Sequence, residues 1–294
     1  MTSFNPAEDL PDLNGRVIIV TGGSGGLGLA IVKHLAGKGA KKVYMAVRDD
    51  DQTKEAFVRL KYAGIPDGAV HFLELDLVTA GTARESAEKF MTMENRLDVL
   101  GHIIGPLVFT QTLLPLLRRT AEQSDFDVRI VNVGSDGHYY VKNPRYDTLE
   151  AWNNKFPRNT LPSQSRYLYS KMGVHLWSNG LIRRMEGSNI TVMIIHPGPV
   201  FSDGAIAALR TKPLSFLTVK IASFFLKDPM IAAYSSVFAA GSNEIRLHPE
   251  KYRGAYIKPP NIIGEQSPVA MDIKRQDELW TFVENHLSSI GQPI

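Results

Sequence analysis

The stretch Val17-Ile18-Ile19-Val20-Thr21-Gly22-Gly23-Ser24-Gly25-Gly26-Leu27-Gly28, followed by Leu29-Ala30-Ile31-Val32, decides the fold. Four apolar residues of high strand propensity run into a glycine-rich turn, and the turn runs into a helical apolar segment. Each glycine has its own use. Gly22 permits a tight turn off the strand, Gly26 lets backbone approach a diphosphate, and Gly28 lets the helix pack closely on the sheet. A helix opening at this point aims unpaired N–H groups and the positive end of its dipole at an anion. Ser24 and Leu27 lie in the same turn. The pattern is that of a dinucleotide pyrophosphate site.

Outward from this turn, strand and helix signals alternate along the chain. Strands are expected over 17–20, 42–47, 70–75, 98–100, 129–133 and 191–195, with a last one over 254–258. Helices are expected over 27–38, 52–63, 80–94, 103–120, 165–185 and 230–241. Several strands are continuous apolar runs, which suits a parallel sheet covered on both faces. The expected fold is α/β, a single doubly wound, mostly parallel Rossmann-type sheet spanning residues 1–294 as one domain.

Composition narrows the function. A chain of 294 residues with 44% hydrophobic content can bury a sizeable core, and its net charge of +3 is spread rather than striped. Nucleic acid is therefore not an expected partner. No cysteine is present, which excludes disulfides, thiolate metal sites and cysteine nucleophiles and fits a reducing compartment. Residues 1–9 have neither the basic patch nor the apolar core of a signal peptide, so a soluble cytoplasmic protein is expected. The apolar run 214–226 is interrupted by Lys220 and is too short to span a bilayer.

Two further motifs carry the chemistry. Tyr167-Leu168-Tyr169-Ser170-Lys171 places a tyrosine and a lysine four residues apart, on one face of an expected helix. Ser135 follows the strand Ile130-Val131-Asn132-Val133, at the edge where such sheets bind ligands. With the Thr21-Gly22 turn, these residues make the chain resemble the short-chain dehydrogenase/reductase superfamily, from about Leu13 to Trp280. The run Ser135-Asp136-Gly137-His138, the insert before Tyr167 and Ile195-His196-Pro197-Gly198 resemble its retinol-dehydrogenase-like branch.

The resemblance implies roles. Tyr167 would be the general acid/base, Lys171 would favour the tyrosinate and hold the nicotinamide ribose, and Ser135 would orient the substrate oxygen. A phenol, with a pKa of about 10, is a poor base near neutrality, and an adjacent ammonium corrects that. Asp76 and Leu77 match the family's adenine-contacting pair. Pro197, Gly198, Val200 and Ser202 match its segment beside the nicotinamide carboxamide. At the end of the second strand, an acid would bind the ribose diol of NAD; here Val47 is followed by Arg48, whose guanidinium suits a 2′-phosphate. NADP(H) is thus favoured over NAD(H), with Asp49, Asp50 and Asp51 opposing that preference if they turn inward.

One departure stands out. The family's Asn-Asn-Ala-Gly turn and the first part of the following helix have no counterpart, because Leu97-Asp98-Val99-Leu100 runs straight into Gly101-His102-Ile103-Ile104-Gly105. If Gly105 is the family's helix glycine, His102 takes the place of its active-site asparagine. His102 then either keeps the backbone role of that residue or is a plain junction residue. Residues 200–230 occupy the place of a substrate lid. The run 214–226 within them suits a lid over an apolar substrate, a core or interface helix, or a membrane-surface contact, the last being the least favoured. The resemblance also implies a homodimer through the helix of Tyr167. Two functions follow: an NADP(H)-dependent oxidoreductase interconverting a hydrophobic ketone or aldehyde and its alcohol, or a catalytically silent nucleotide-binding protein that has lost the Asn-Asn-Ala-Gly segment.

Overall fold

Residues 4–102, 107–123, 127–200 and 227–294 are described in the computed structural model of the chain. The apolar runs become strands buried on both sides. Every residue is buried in β1 (Val17–Thr21), β5 (Val128–Val133) and β6 (Ile190–Ile195), and all but the first in β2 (Lys42–Val47). With β3 (Val70–Glu74), β4 (Val99–His102), β7 (Tyr256–Lys258) and β8 (Ile262–Gly264) they form one eight-stranded sheet in the order β3-β2-β1-β4-β5-β6-β7-β8. All pairings are parallel except β7 with β8. The strand order reverses between β1 and β4, which opens a crevice at their carboxyl ends.

Strand alternation sorts the core into two layers. Val17 and Ile19 face helices α3 (Ala80–Met93), α4 (Leu107–Ala121) and α5 (Pro162–Arg184), whereas Ile18 and Val20 face α1 (Gly26–Ala36), α2 (Asp51–Tyr62) and α6 (Tyr234–Gly241). The sheet is braced at the end opposite the crevice. There the fully buried Arg129 forks onto Asp127 and donates to the carbonyls of Ala239 (3.0 Å) and Ser242 (2.8 Å), tying β5 to α6.

A helix not expected from the sequence, α7 (Ile273–Ser289), lies along the outer side of α5. The Asp272 carboxylate caps it by accepting from Lys274 N (3.0 Å). Trp280 stacks on Trp177 and donates Nε1–H to the Trp177 carbonyl at 3.2 Å. It fits because residue 180 is glycine: a Cβ there would lie 2.2 Å from Trp280 Nε1. The Arg184 guanidinium covers the indole at 4.1 Å, and Arg183 pairs with Asp277. The C-terminal half of the tyrosine helix is thus covered by its own chain. Among the described residues, no helix is long and apolar enough to cross a membrane.

Candidate active site

The glycine turn adopts the backbone that the sequence requires. Gly22 has φ +68° and Gly26 φ +47°, in the region that side chains disfavour. Gly22 N–H donates to the Ala46 carbonyl at 2.9 Å, which fixes the turn against β2. The start of α1 has no side-chain cap, with extended Gly25 as the flanking residue. By contrast, Asp50 caps α2 and Thr79 caps α3. Gly26, Leu27 and Gly28 therefore open a helix whose first amides meet no capping side chain, a cradle that suits a diphosphate. Ser24 lies partly buried in the turn itself. Gly23 has a use that the local sequence does not reveal: a Cβ there would sit 2.7 Å from Met45 Cγ and 3.0 Å from Val32 Cγ2. Close packing of the turn on β2 depends on it.

Ser135, Tyr167 and Lys171 come together at the carboxyl end of β5. Ser135 is buried and starts a 3₁₀ turn over Asp136–Tyr140, its Oγ accepting from Gly137 N–H at 3.0 Å. That bond uses the oxygen as acceptor, so the hydroxyl hydrogen is free to donate elsewhere. The turn packs on α5: a Cβ at Gly137 would lie 2.7 Å from Leu168 Cδ2. Tyr167, the neighbour of Leu168, keeps 51% of its surface exposed. Lys171 Nζ donates to the Val133 carbonyl at 2.8 Å and lies 6.0 Å from the Tyr167 ring centre. Burial lowers the Lys171 ammonium from its ordinary 10.5 to about 8. Two of its three N–H donors remain beyond the bond to Val133.

The other expected positions flank this centre. Arg48 follows β2 with its guanidinium 3.6 Å from the Asp50 carboxylate. Asp50 also accepts from Thr53 N–H at 2.9 Å, and that bond leads in holding its carboxyl below the usual range, with Arg48 contributing less. One Asp76 oxygen accepts from Val78 N–H at 2.9 Å, and Leu77 packs on the core. Pro197 is buried, Gly198 has φ +83°, and Val200 pairs in a bridge with Lys227. Ser202 and most of the expected lid lie outside the described residues, as do 103–106 at the start of the helix expected over 103–120. His102 is the last residue of β4, in register with Asn132, and so belongs to a strand rather than a helix. Its side chain is outside the described set.

An ionic cluster beside Ser135 was not anticipated. Asp136 accepts from Tyr256 (2.8 Å) and pairs with Lys258 (3.1 Å), with His196 at 3.6 Å. A cleft of about 530 Å³ lies between residues 140–159 and the start of α5, lined by Tyr140, Asn143, Arg145, Leu168 and Tyr169 among others. It adjoins the tyrosine helix without including Ser135, Tyr167 or Lys171. No group of three His, Cys, Asp or Glu residues suited to a metal occurs among the described residues.

Comparison with known proteins agrees with this geometry. The short chain dehydrogenase family model matches residues 16–109. A short-chain dehydrogenase/reductase of Armillaria gallica is 38% identical over 295 aligned positions, covering 92% of this chain and 91% of its own. One from Colletotrichum higginsianum is 31% identical over 321 positions, covering 97% and 78%. Since 92% of 294 residues is about 270, roughly 25 positions of the first alignment have no residue in this chain. Among solved structures, the Pseudomonas aeruginosa RhlG/NADP complex is similar in fold, with a TM-score of 0.60 at 24% identity over 79% of this chain and 92% of that one. On the strength of the sequence relatives, the chain belongs to the short-chain dehydrogenase/reductase family of oxidoreductases.

Proposed function

We propose that the protein is an NADP(H)-dependent reductase or dehydrogenase that interconverts a hydrophobic ketone or aldehyde and its alcohol. The observation that carries this reading is the placement of Lys171 Nζ on the Val133 carbonyl, two residues before Ser135 and on the helix that presents exposed Tyr167. The nicotinamide, when bound, supplies or accepts the hydride. Gly26, Leu27 and Gly28 at the uncapped start of α1 hold the diphosphate. In reduction, Ser135 donates its free hydroxyl hydrogen to the substrate carbonyl oxygen, and Tyr167 transfers a proton to the same oxygen as charge develops there. Lys171 stays fixed by Val133 and directs its remaining N–H groups toward the tyrosine side of the crevice, stabilising the tyrosinate left behind. The exposed rings of Tyr139, Tyr140 and Tyr167 favour an apolar substrate.

Arg48 supports NADP(H). It is exposed after β2, and the aspartate nearest to it is already engaged by the start of α2. A 2′-phosphate would meet the guanidinium with both charges of the ligand group, a stronger partner than one shared carboxylate. The direct test is thermal melting with NADPH, NADH or neither, because a ligand of the folded state raises the melting temperature by mass action. NADPH should stabilise well beyond NADH, and Arg48→Ala should shrink that difference. Tyr167→Phe should keep the NADPH shift and lose turnover of apolar ketones.

The catalytically silent alternative has one observation in its favour. Only residues 103–106 separate β4 from α4, a short connection that leaves no room for the family's Asn-Asn-Ala-Gly turn and the first part of its helix. Tight NADPH binding with no turnover of any apolar ketone or alcohol would select it.

A further inference from the structure

We propose that His138 and His175 form a paired clamp on the Ser135 peptide and act as positioning residues for the Ser135 hydroxyl. The inference rests on the reading of Ser135 as the group that orients the substrate oxygen. Both histidines are fully buried, and their rings stack with centres 4.0 Å apart and planes 16° from parallel. They grip opposite sides of one residue. Ser135 N–H donates to His175 Nε2 at 3.3 Å, and His138 Nδ1 lies 2.7 Å from the Ser135 carbonyl.

The tautomers follow from the partners. Ser267 N–H can only donate, and it meets His138 Nε2 at 3.0 Å, so His138 carries its proton on Nδ1 and donates it to Ser135 O. Ser135 N–H can only donate, so His175 Nε2 is a lone pair and Nδ1–H donates to Gln266 Oε1 at 2.7 Å. The Gln266 amide is oriented by a reciprocal pair of 3.0 Å bonds with Asn179. Every nitrogen of the two rings is used once, with both rings neutral. A proton added to either would set N–H against a backbone N–H. Burial pushes both rings the same way, His175 to about 3. The other groups facing them are Lys171, Asp136, His196, Lys258, the Tyr139 ring 4.1 Å from that of His138, and the edge of the Tyr256 ring.

The clamp fixes more than the serine. His175 is four residues beyond Lys171 and eight beyond Tyr167, so all three share one face of α5. His175 therefore sets where Ser135 stands relative to the helix that carries the proton donor. Residue 134 is glycine to match: a Cβ there would lie 2.5 Å from His175 Nε2 and 2.7 Å from Ile194 Cγ2. The ring takes the space that a side chain at 134 would need.

The test is a double-mutant cycle in the full chain with Ser135→Ala, His175→Leu and both, with His175→Gln as the conservative variant. NADPH-dependent reduction of an aromatic ketone is read alongside NADPH affinity and melting temperature. His175→Leu should lower kcat roughly 10- to 100-fold, the size expected for a misplaced group, and alter NADPH affinity less than about twofold. Glutamine reproduces one acceptor and one donor and should restore kcat to within about threefold. In the Ser135→Ala background His175→Leu should cost less than about twofold. An equal loss in both backgrounds overturns the proposal. Imidazole nitrogen-15 spectra give a readout free of activity: both rings should be neutral with the proton on Nδ1 from pH 7 down to pH 5. A charged ring, or a proton on Nε2, overturns the clamp however active the enzyme is. Correct tautomers in a wild type that turns over no ketone overturn the oxidoreductase reading, and with it the catalytic role of the clamp, while the clamp geometry stands.

Discussion

Replacing Lys171 with methionine should abolish turnover and yet raise the melting temperature of the cofactor-free protein at pH 7. Burial brings the Lys171 ammonium from 10.5 to about 8. At about 1.4 kcal/mol per pH unit, the folded state carries a charge that its surroundings disfavour by roughly 3 kcal/mol. Between those two pH values the unfolded chain binds the proton and the folded chain does not, so stability rises with pH across that window. Below pH 8 the whole penalty is present; above pH 10.5 it is gone. Methionine fills much the same volume without the charge, but it leaves the Val133 carbonyl without the 2.8 Å bond, a loss of about 1 kcal/mol. The net gain is about 2 kcal/mol, or a rise of about 3 °C for a chain of this size. Differential scanning calorimetry of both proteins at pH 7, 8, 9 and 10 without cofactor makes the comparison. A variant less stable at pH 7, or a difference as large at pH 10 as at pH 7, would refute the reasoning.

Other outcomes follow from the packing and the buried histidines. Because burial holds His138 and His175 neutral, the unfolded chain takes up protons that the folded chain refuses as pH falls through 6.5, and stability drops with it. His175→Gln should lose less stability than wild type between pH 6.5 and 4.5 in urea titrations; parallel curves would count against the assignment. Trp280→Ala removes the indole seated on Trp177 and Gly180 and should cost about 3–5 kcal/mol, measured by urea unfolding. A change below about 1 kcal/mol would mean that α7 is not part of the cooperative unit. Since α7 covers the C-terminal half of α5, light scattering should find the 32.6 kDa chain as a monomer rather than the dimer the family resemblance implies. Twice that mass at micromolar concentration would show association through another surface.

The sheet was legible because its signals are continuous. Runs such as Val17 to Val20 and Val192 to Ile195 admit a buried strand and little else, and expected and observed strands agree to within two residues. The glycine turn, Ser135, Tyr167 and Lys171 were legible because each motif falls at a predictable edge of such a sheet. What escaped was settled by tertiary contact. β8 is three residues long, and nothing local distinguishes Ile262 and Ile263 from a loop. α7 did leave a signal, with Ile273, Leu279, Trp280, Val283 and Leu287 along one stripe after the Asp272 cap, and it went unread. His175 left none beyond its spacing from Lys171. A histidine at that position looks like any helix residue until Gly134 and Ser135 are seen against it.

The seat of Trp280 on Gly180 bears on how the chain is made. The two residues are separated by about 100 positions, and α7 is synthesised after every strand of the sheet. At about 5–20 residues per second, translation takes roughly 5 to 20 s to travel from the end of α5 to the end of α7. Through that interval the strands from β1 to β5 are already available to pair and β6 joins them, while Trp177 and the glycine notch at 180 have no cover. The nascent protein passes through a stage with a nearly complete sheet and one bare helix side, and α7 ends that stage by docking from its own chain. A ribosome stalled between the codons for Tyr256 and Ile273 would therefore display that bare side, and chaperone capture should peak there.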